Sequence, residues 1–193
     1  MGRTLQRNYS LDDYWLIEDV QRERHEYWQG DILAMAGGTP RHNAITANTI
    51  AALVKRVQGG PCLVLSGDQR IVTPDGLYSY ADASVFCRGV ALTGDPRPTA
   101  FNPTVLIEVL SNSTRDYDRG PKRELYLALP SVHDLLLVEQ ESLLVEHWRR
   151  SADRFELGVL RGLEASVRLV GCEVALPLSE IYAGVGDIEH GGR

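Results

Sequence analysis

The sequence predicts an α/β (α+β) fold: a central mixed β-sheet flanked by helices, entered through an N-terminal helix and hairpin. Three observations predict it. An early helical pattern is followed by short strand-like runs. In the middle, an apolar run at 104–110 gives way to a helical pattern and then to a second apolar run, the order of a strand–helix–strand unit. Late in the chain, three strand-like segments follow one another at hairpin spacing.

Each element has a local reason. In "SLDDYWLI", Ser10 is an N-cap and Asp13 stands at the third helical position, the pattern of a reciprocal cap. "HEYWQGDILAMAGG" reads as two short strands joined at Gln29-Gly30. Over 41–57, Ile50, Leu53, Val54 and Val57 recur at helical spacing, and Gly59-Gly60-Pro61 stops the helix. "CLVLSGDQRIVT" is strand-like with a break at Ser66-Gly67, and "YSYADASVFC" reads as one strand. A helix is expected over 119–129, with Asp118 as N-cap, Pro121 in its first turn and Pro130 beyond its end. "DLLLVEQ", "LLVEHWRR" and "FELGVLRG" then form an antiparallel meander with turns near Glu141 and Ala152. The Gly-rich end from Gly184 onward, above all 186–193, is expected to fray.

The chain of 193 residues suits one domain, 1–193, with a sizeable core. Hydrophobic residues make up 44% and charged residues 24%, a balance that excludes a disordered chain. No apolar run is long enough to cross a bilayer, and "MGRTLQRNYSLDDYW" lacks the apolar stretch of a signal peptide. A cytoplasmic location without membrane contact is therefore expected. Cys62, Cys87 and Cys172 show no CxxC spacing, which argues against zinc, and are read as reduced core residues. The net charge of −6 argues against a general nucleic-acid coating protein, although a local basic cleft is compatible with it.

The informative anomaly is Glu108, placed between Ile107 and Val109 in an apolar strand. A buried carboxylate needs a cation, a metal or water. Alternation puts it on one face with Thr104, Leu106 and Leu110. The same rule groups Asp82 with Tyr78, Tyr80, Ser84 and Phe86. On the following helix, Lys122, Leu125, Tyr126 and Leu129 form one face, with Lys122 at its N-terminal end. Two readings fit. A lysine–carboxylate ion pair needs no metal and is the simpler on spacing alone. Two acids and a lysine beside a cleft also suit a magnesium-dependent phosphodiesterase.

The stretches "YADASVF", "TVLIEVLSNSTRDYDRGPKRELY" and "HEYWQGDILAMAGGTPRHNAI" together resemble the PD-(D/E)XK nuclease superfamily. More closely, they resemble the bacterial Uma-type family of restriction-endonuclease-like proteins. The resemblance runs over about 11–185 and implies a restriction-endonuclease-like core with a metal site on the sheet. It matches Asp82 to the motif aspartate, Glu108 to the motif glutamate, and Lys122 to a lysine carried on the following helix. It also implies a ligand from the backbone carbonyl of Val109, and matches Glu26 to an acid that completes the site. There are departures. Ala81 replaces the proline before the aspartate, Leu110 occupies the lysine position of a strict E-x-K, and Gln29 stands where aspartate is common.

Other residues weigh less. His42, at a helix start, could contact phosphate or move a proton, but a structural role is the commoner one for such a histidine. Asp68 reads as a turn acid. Arg115, Arg119, Arg123 and Lys122 could neutralise a phosphate backbone, or form a solvated face balanced by Asp116, Asp118 and Glu124. Ser111 and Ser113 lack the pattern of a catalytic serine.

The expected activity is a Mg2+-dependent endonuclease, with Mn2+ as a substitute and DNA favoured over RNA. A homodimer is expected because cutting both strands needs two sites, with the "LLVEHW" strand as the pairing edge. The alternatives are a non-catalytic binding or assembly module on the same scaffold, or a hydrolase of RNA or small phosphodiesters.

Overall fold

The computed structural model describes residues 8–35, 37–95 and 97–188. The chain opens with α1 (Leu11–Val20), capped as the sequence predicts: Ser10 Oγ accepts from the Asp13 amide, and Asp13 accepts from the Ser10 amide. Strands β1 (His25–Trp28) and β2 (Asp31–Ala34) form the expected hairpin. Gln29 and Gly30 both take positive φ, 49° and 89°, as a two-residue turn matched to strand twist requires. Helix α2 (Pro40–Val57) starts under Thr39, whose hydroxyl accepts from the His42 amide.

Strands β3 (Cys62–Ser66), β4 (Arg70–Val72), β5 (Tyr78–Tyr80), β6 (Ala83–Cys87) and β7 (Val105–Leu110) follow. A short α3 (Arg115–Tyr117), a wide π turn (Asp118–Lys122) and α4 (Arg123–Leu127) connect β7 to β8 (Asp134–Glu139). The meander is completed by β9 (Leu144–Ser151) and β10 (Arg154–Arg161), with Ala152 in the left-handed region at the turn. A hairpin, β11 (Ser166–Leu169) and β12 (Val174–Pro177), leads to α5 (Leu178–Ile181).

Among the described residues, two sheets carry the architecture. The larger runs β10-β9-β8-β7-β6-β3, with β7 and β8 parallel and the other pairs antiparallel. The smaller runs β2-β1-β5-β4. The mixed sheet and its parallel β7–β8 unit match the sequence expectation.

Every residue of β7 is buried because helices cover both of its faces. Val105, Ile107 and Val109 join Ile45 and Leu53 of α2 in one core. Leu106 and Leu110 join Leu125, Tyr126 and Leu129 on the other side. Full burial of such side chains stabilises by ~1.5–3 kcal/mol each, so the two cores hold β7 rigidly. Glu108 points to the α4 side, as alternation predicts.

Four expectations are corrected. "YSYADASVFC" is two strands, in different sheets, and Asp82 lies at the junction between β5 and β6 rather than inside a strand. The helix expected over 119–129 begins at Arg115, and Asp118 is not its N-cap. Pro121 has no amide hydrogen and its ring clashes with a carbonyl one turn back; Gly120 absorbs the distortion at φ −100°, ψ −112°. Cys62 and Cys87 are joined in a disulfide, because the antiparallel register of β3 and β6 sets them opposite each other; Cys172 is a free thiol. The "LLVEHW" segment belongs to β9, flanked by β8 and β10, so it presents no edge; the sheet's outer strands are β10 and β3. At the start of the expected flexible tail, Val185–Asp187 form a 3-10 turn, and Arg41 Nη1 donates to the carbonyls of Val185 and Ile188. The rest of the expected flexible tail, 189–193, lies outside the described residues. No helix among the described residues is long and apolar enough to cross a membrane.

Candidate active site

The chain crosses from one sheet to the other at Ala81-Asp82, and that seam positions the site. Extending the β6–β7 register by one residue sets Asp82 opposite Glu108. The Val109 amide donates to Asp82 Oδ2 at 2.7 Å, which fixes the carboxylate at the end of β6. His42, from the first turn of α2, approaches the same oxygen with Nε2 at 3.2 Å. Gly38 makes this possible, since a Cβ there would lie 2.6 Å from His42 Nδ1.

On the other side of Glu108, the kink at Gly120-Pro121 turns Lys122 inward. Its ammonium lies 2.7 Å from Glu26 Oε1, 2.9 Å from Glu108 Oε1 and 3.7 Å from Asp118 Oδ1. Tyr126, one helical turn on from Lys122, donates its hydroxyl to Glu108 Oε1 at 3.0 Å and accepts from Ser79 Oγ at 3.1 Å. Thr114 donates to Asp118 Oδ2 at 2.6 Å. Glu26, Glu108, Asp118 and Lys122 are each no more than 5% exposed, so water screens these charges little.

The electrostatics follow. Burial pushes the Glu108 carboxyl well above its ordinary range; Lys122 opposes that push, and Asp82, Asp118 and Glu26 reinforce it. Burial also raises Asp118, against the pull of Lys122 and Thr114. Burial alone would favour a neutral Lys122 amine, but Glu108, Glu26 and Asp118 outweigh it and hold the ammonium well above the usual lysine value. For His42 too, burial favours the neutral ring, and the contacts with Asp82, Asn43 and the Val109 carbonyl reverse this and raise it.

Asp82, Glu108, Val109, Lys122, Glu26 and His42 therefore converge, and all six line one pocket of about 380 Å³. Three further residues complete the surroundings, Asp118 and Tyr117 in the pocket wall and Tyr126 bonded to Glu108, and the sequence pattern does not mark them as site residues. Tyr126 lies on the helix face already identified with Lys122, so the i, i+4 spacing was an available signal. Asp118 stands four residues before Lys122, so the same spacing applies to it, whereas nothing local marks Tyr117. Asp68 pairs with Arg24 on the surface, as a turn acid would. Arg115 and Arg119 bind Glu139, and Arg119 also binds Glu146, so the basic cluster is spent on ion pairs. Ser111, Ser113 and Thr114 share hydroxyl hydrogen bonds with one another.

The donor set can be tested against a divalent cation. Among the described residues, no group of three or more His, Cys, Asp or Glu side chains is gathered at metal-binding spacing. Yet one oxygen of each principal acid is engaged and the other is not. Asp82 Oδ2 is taken by Val109 and His42, and Glu108 Oε1 by Lys122 and Tyr126, which leaves Asp82 Oδ1 and Glu108 Oε2 without a hydrogen bond among the described residues. Two carboxylate oxygens beside an open pocket fit magnesium, which keeps several of its waters and takes few protein ligands.

Comparison with known proteins bears on the fold and the family. The crystal structure of a putative nuclease belonging to DUF820 from Anabaena variabilis superposes with a TM-score of 0.68 over 86% of this chain and 93% of that one, at 16% identity. Two uncharacterized proteins of Synechocystis sp. are similar in sequence. One, slr1290, is 35% identical over 150 residues, 75% of either chain. The other, sll1609, is 28% identical over 143 residues, 74% of this chain and 81% of its own. A family profile, Uma2, described as "Putative restriction endonuclease", matches residues 11–178; the chain belongs to the Uma2 family.

Proposed function

We propose that the protein is a Mg2+-dependent endonuclease that hydrolyses phosphodiester bonds in nucleic acid, with Mn2+ as a working substitute and DNA as the expected polymer. The observation that supports it most is the convergence of Asp82, Glu108 and Lys122 on one pocket, with a free oxygen on each acid. The free oxygens Asp82 Oδ1 and Glu108 Oε2 would hold the ion, with the carbonyl of Val109 and, through Lys122, the charge of Glu26 in support. When bound, the ion supplies positive charge against the phosphoryl and leaving oxygens and favours the hydroxide form of nearby water.

The chain's own residues do the rest. Because its acid neighbours keep Lys122 protonated, it acts as a hydrogen-bond donor, not as a base. It orients the attacking water or holds a phosphoryl oxygen while charge builds. Tyr126 and the Val109 amide fix the two carboxylates, so little reorganisation is needed on reaction. His42, held toward its protonated form beside Asp82, is placed to give a proton to the departing oxygen or to touch the phosphate.

The test is cleavage of supercoiled plasmid and of labelled single-stranded DNA and RNA, with Mg2+ or Mn2+. The wild type should cut and Glu108→Ala and Lys122→Ala should not. Inertness of the wild type on every substrate with both metals refutes the assignment.

A further inference from the structure

The lining of the pocket also bears on which nucleic acid enters it, granted the nuclease reading above. Among the described residues, its wall brings the carboxyl groups of Glu26, Asp82, Glu108 and Asp118 against Lys122, with no arginine. The arginines that follow β7 are engaged elsewhere. Arg115 and Arg119 are held by Glu139 and Glu146, and Arg123 pairs with Glu124 and lies over the Trp148 ring. A duplex is ordinarily gripped by several phosphate contacts from Lys and Arg, spread along both strands. This rim does not offer them.

It offers an apolar wall instead. Leu33 is paired with Glu26 across the hairpin, so the two share a face. Met35 continues the ladder, its amide donating to the Arg24 carbonyl, and lies two residues on, on that same face. Both line the pocket, and they are 43% and 36% exposed. Isolated exposed apolar residues need no explanation, but two side by side at the mouth of an acidic pocket form a surface that a flat, weakly polar group can cover.

We propose that the pocket takes a phosphodiester from an unpaired stretch of nucleic acid, with one base resting against Leu33 and Met35 and its phosphate beside Asp82, Glu108 and Lys122. Apolar side chains take the face of an unstacked base whatever its sequence, and a paired, stacked base cannot present that face.

The test compares rates with Mn2+ on labelled single-stranded DNA, the same DNA annealed to its complement, single-stranded RNA, and the p-nitrophenyl ester of thymidine monophosphate. The single strand should be cut at least ~10-fold faster than the duplex, and Leu33→Ser/Met35→Ser should lower the single-strand rate by ~5–10-fold, the loss expected when the apolar area under one base is given up. Preference for either the DNA or the RNA strand upholds the proposal. Duplex cut as fast as single strand, or a ratio that the folded double variant leaves unchanged, overturns it without touching the nuclease assignment. If the double variant does not fold, Leu33→Ala carries the same comparison. Failure to hydrolyse any of the four substrates, the mononucleotide ester included, overturns both.

Discussion

Replacing Lys122 by methionine removes the cation from the centre of three buried acids while nearly keeping its volume. Glu26 and Glu108 lie within 3 Å of the ammonium, at 2.7 and 2.9 Å, and Asp118 lies at 3.7 Å. Breaking a buried ion pair from one side costs about 3–5 kcal/mol, because the partner's charge is left without compensation. That is a large part of the roughly 5–15 kcal/mol that stabilises a whole domain. At ~2–4 °C per kcal/mol for a chain of this size, the melting temperature should fall by roughly 6–20 °C at pH 8. The loss should shrink in acid. Without the ammonium, the carboxyl groups take up protons more readily in the folded than in the unfolded chain, so stability is gained as pH falls toward their unfolded range and lost as pH rises. Thermal melting followed by circular dichroism between pH 5 and 8 checks both parts. Glu26→Gln/Glu108→Gln/Lys122→Met should recover much of the loss, since of the three acids only the more distant Asp118, held by Thr114, keeps an uncompensated charge. A Lys122→Met variant within about 1 kcal/mol of the wild type at pH 8, or one that is hurt more at pH 5, would refute the electrostatic argument.

Other outcomes follow from the same structure. Glu108→Gln should leave the fold intact and reduce cleavage by at least ~10²-fold, measured by plasmid nicking, because an amide cannot hold a cation as a carboxylate does. Glu18 accepts from Tyr80, Arg70 and the His25 amide at 2.5–2.8 Å; burial would raise its carboxyl, and these bonds instead lower it. Its contribution is therefore present above the unfolded value near ~4.3 and lost as pH falls through the folded one. Glu18→Gln should cost about 3 kcal/mol at pH 7 in urea unfolding, with a smaller deficit below pH 4. Finally, the unfolded, unreduced protein should titrate one thiol, Cys172, and three after reduction; three without reduction would contradict the Cys62–Cys87 bond.

Much of the site could be read from local pattern. Alternation alone puts Glu108 on the face of Leu106 and Leu110, and helical spacing alone puts Lys122 with Leu125, Tyr126 and Leu129; the two faces do meet. What could not be read depends on contacts between distant segments or on departures from regular geometry. Asp82 reaches Glu108 because the chain leaves one sheet and enters another at Ala81-Asp82, and strand-like residues on both sides, with no glycine or proline between them, conceal that step. Asp118 looks like a helix cap because Pro121 follows three residues later; the widened turn at Gly120 instead carries it into the core. The cysteine pair is fixed by the register of β3 against β6, which spacing along the chain does not contain. Arg115 and Arg119 read as free cations until β8 and β9 bring Glu139 and Glu146 beside them.

The central claim is that a divalent ion settles between the free oxygens of Asp82 and Glu108. Diffraction at the manganese edge from a crystal soaked in Mn2+ tests it directly. The account predicts an anomalous peak within coordination distance, ~2.0–2.3 Å, of both carboxylates. A saturated soak with no peak there, or with Lys122 still closing over Glu108 and the metal bound elsewhere, would contradict it.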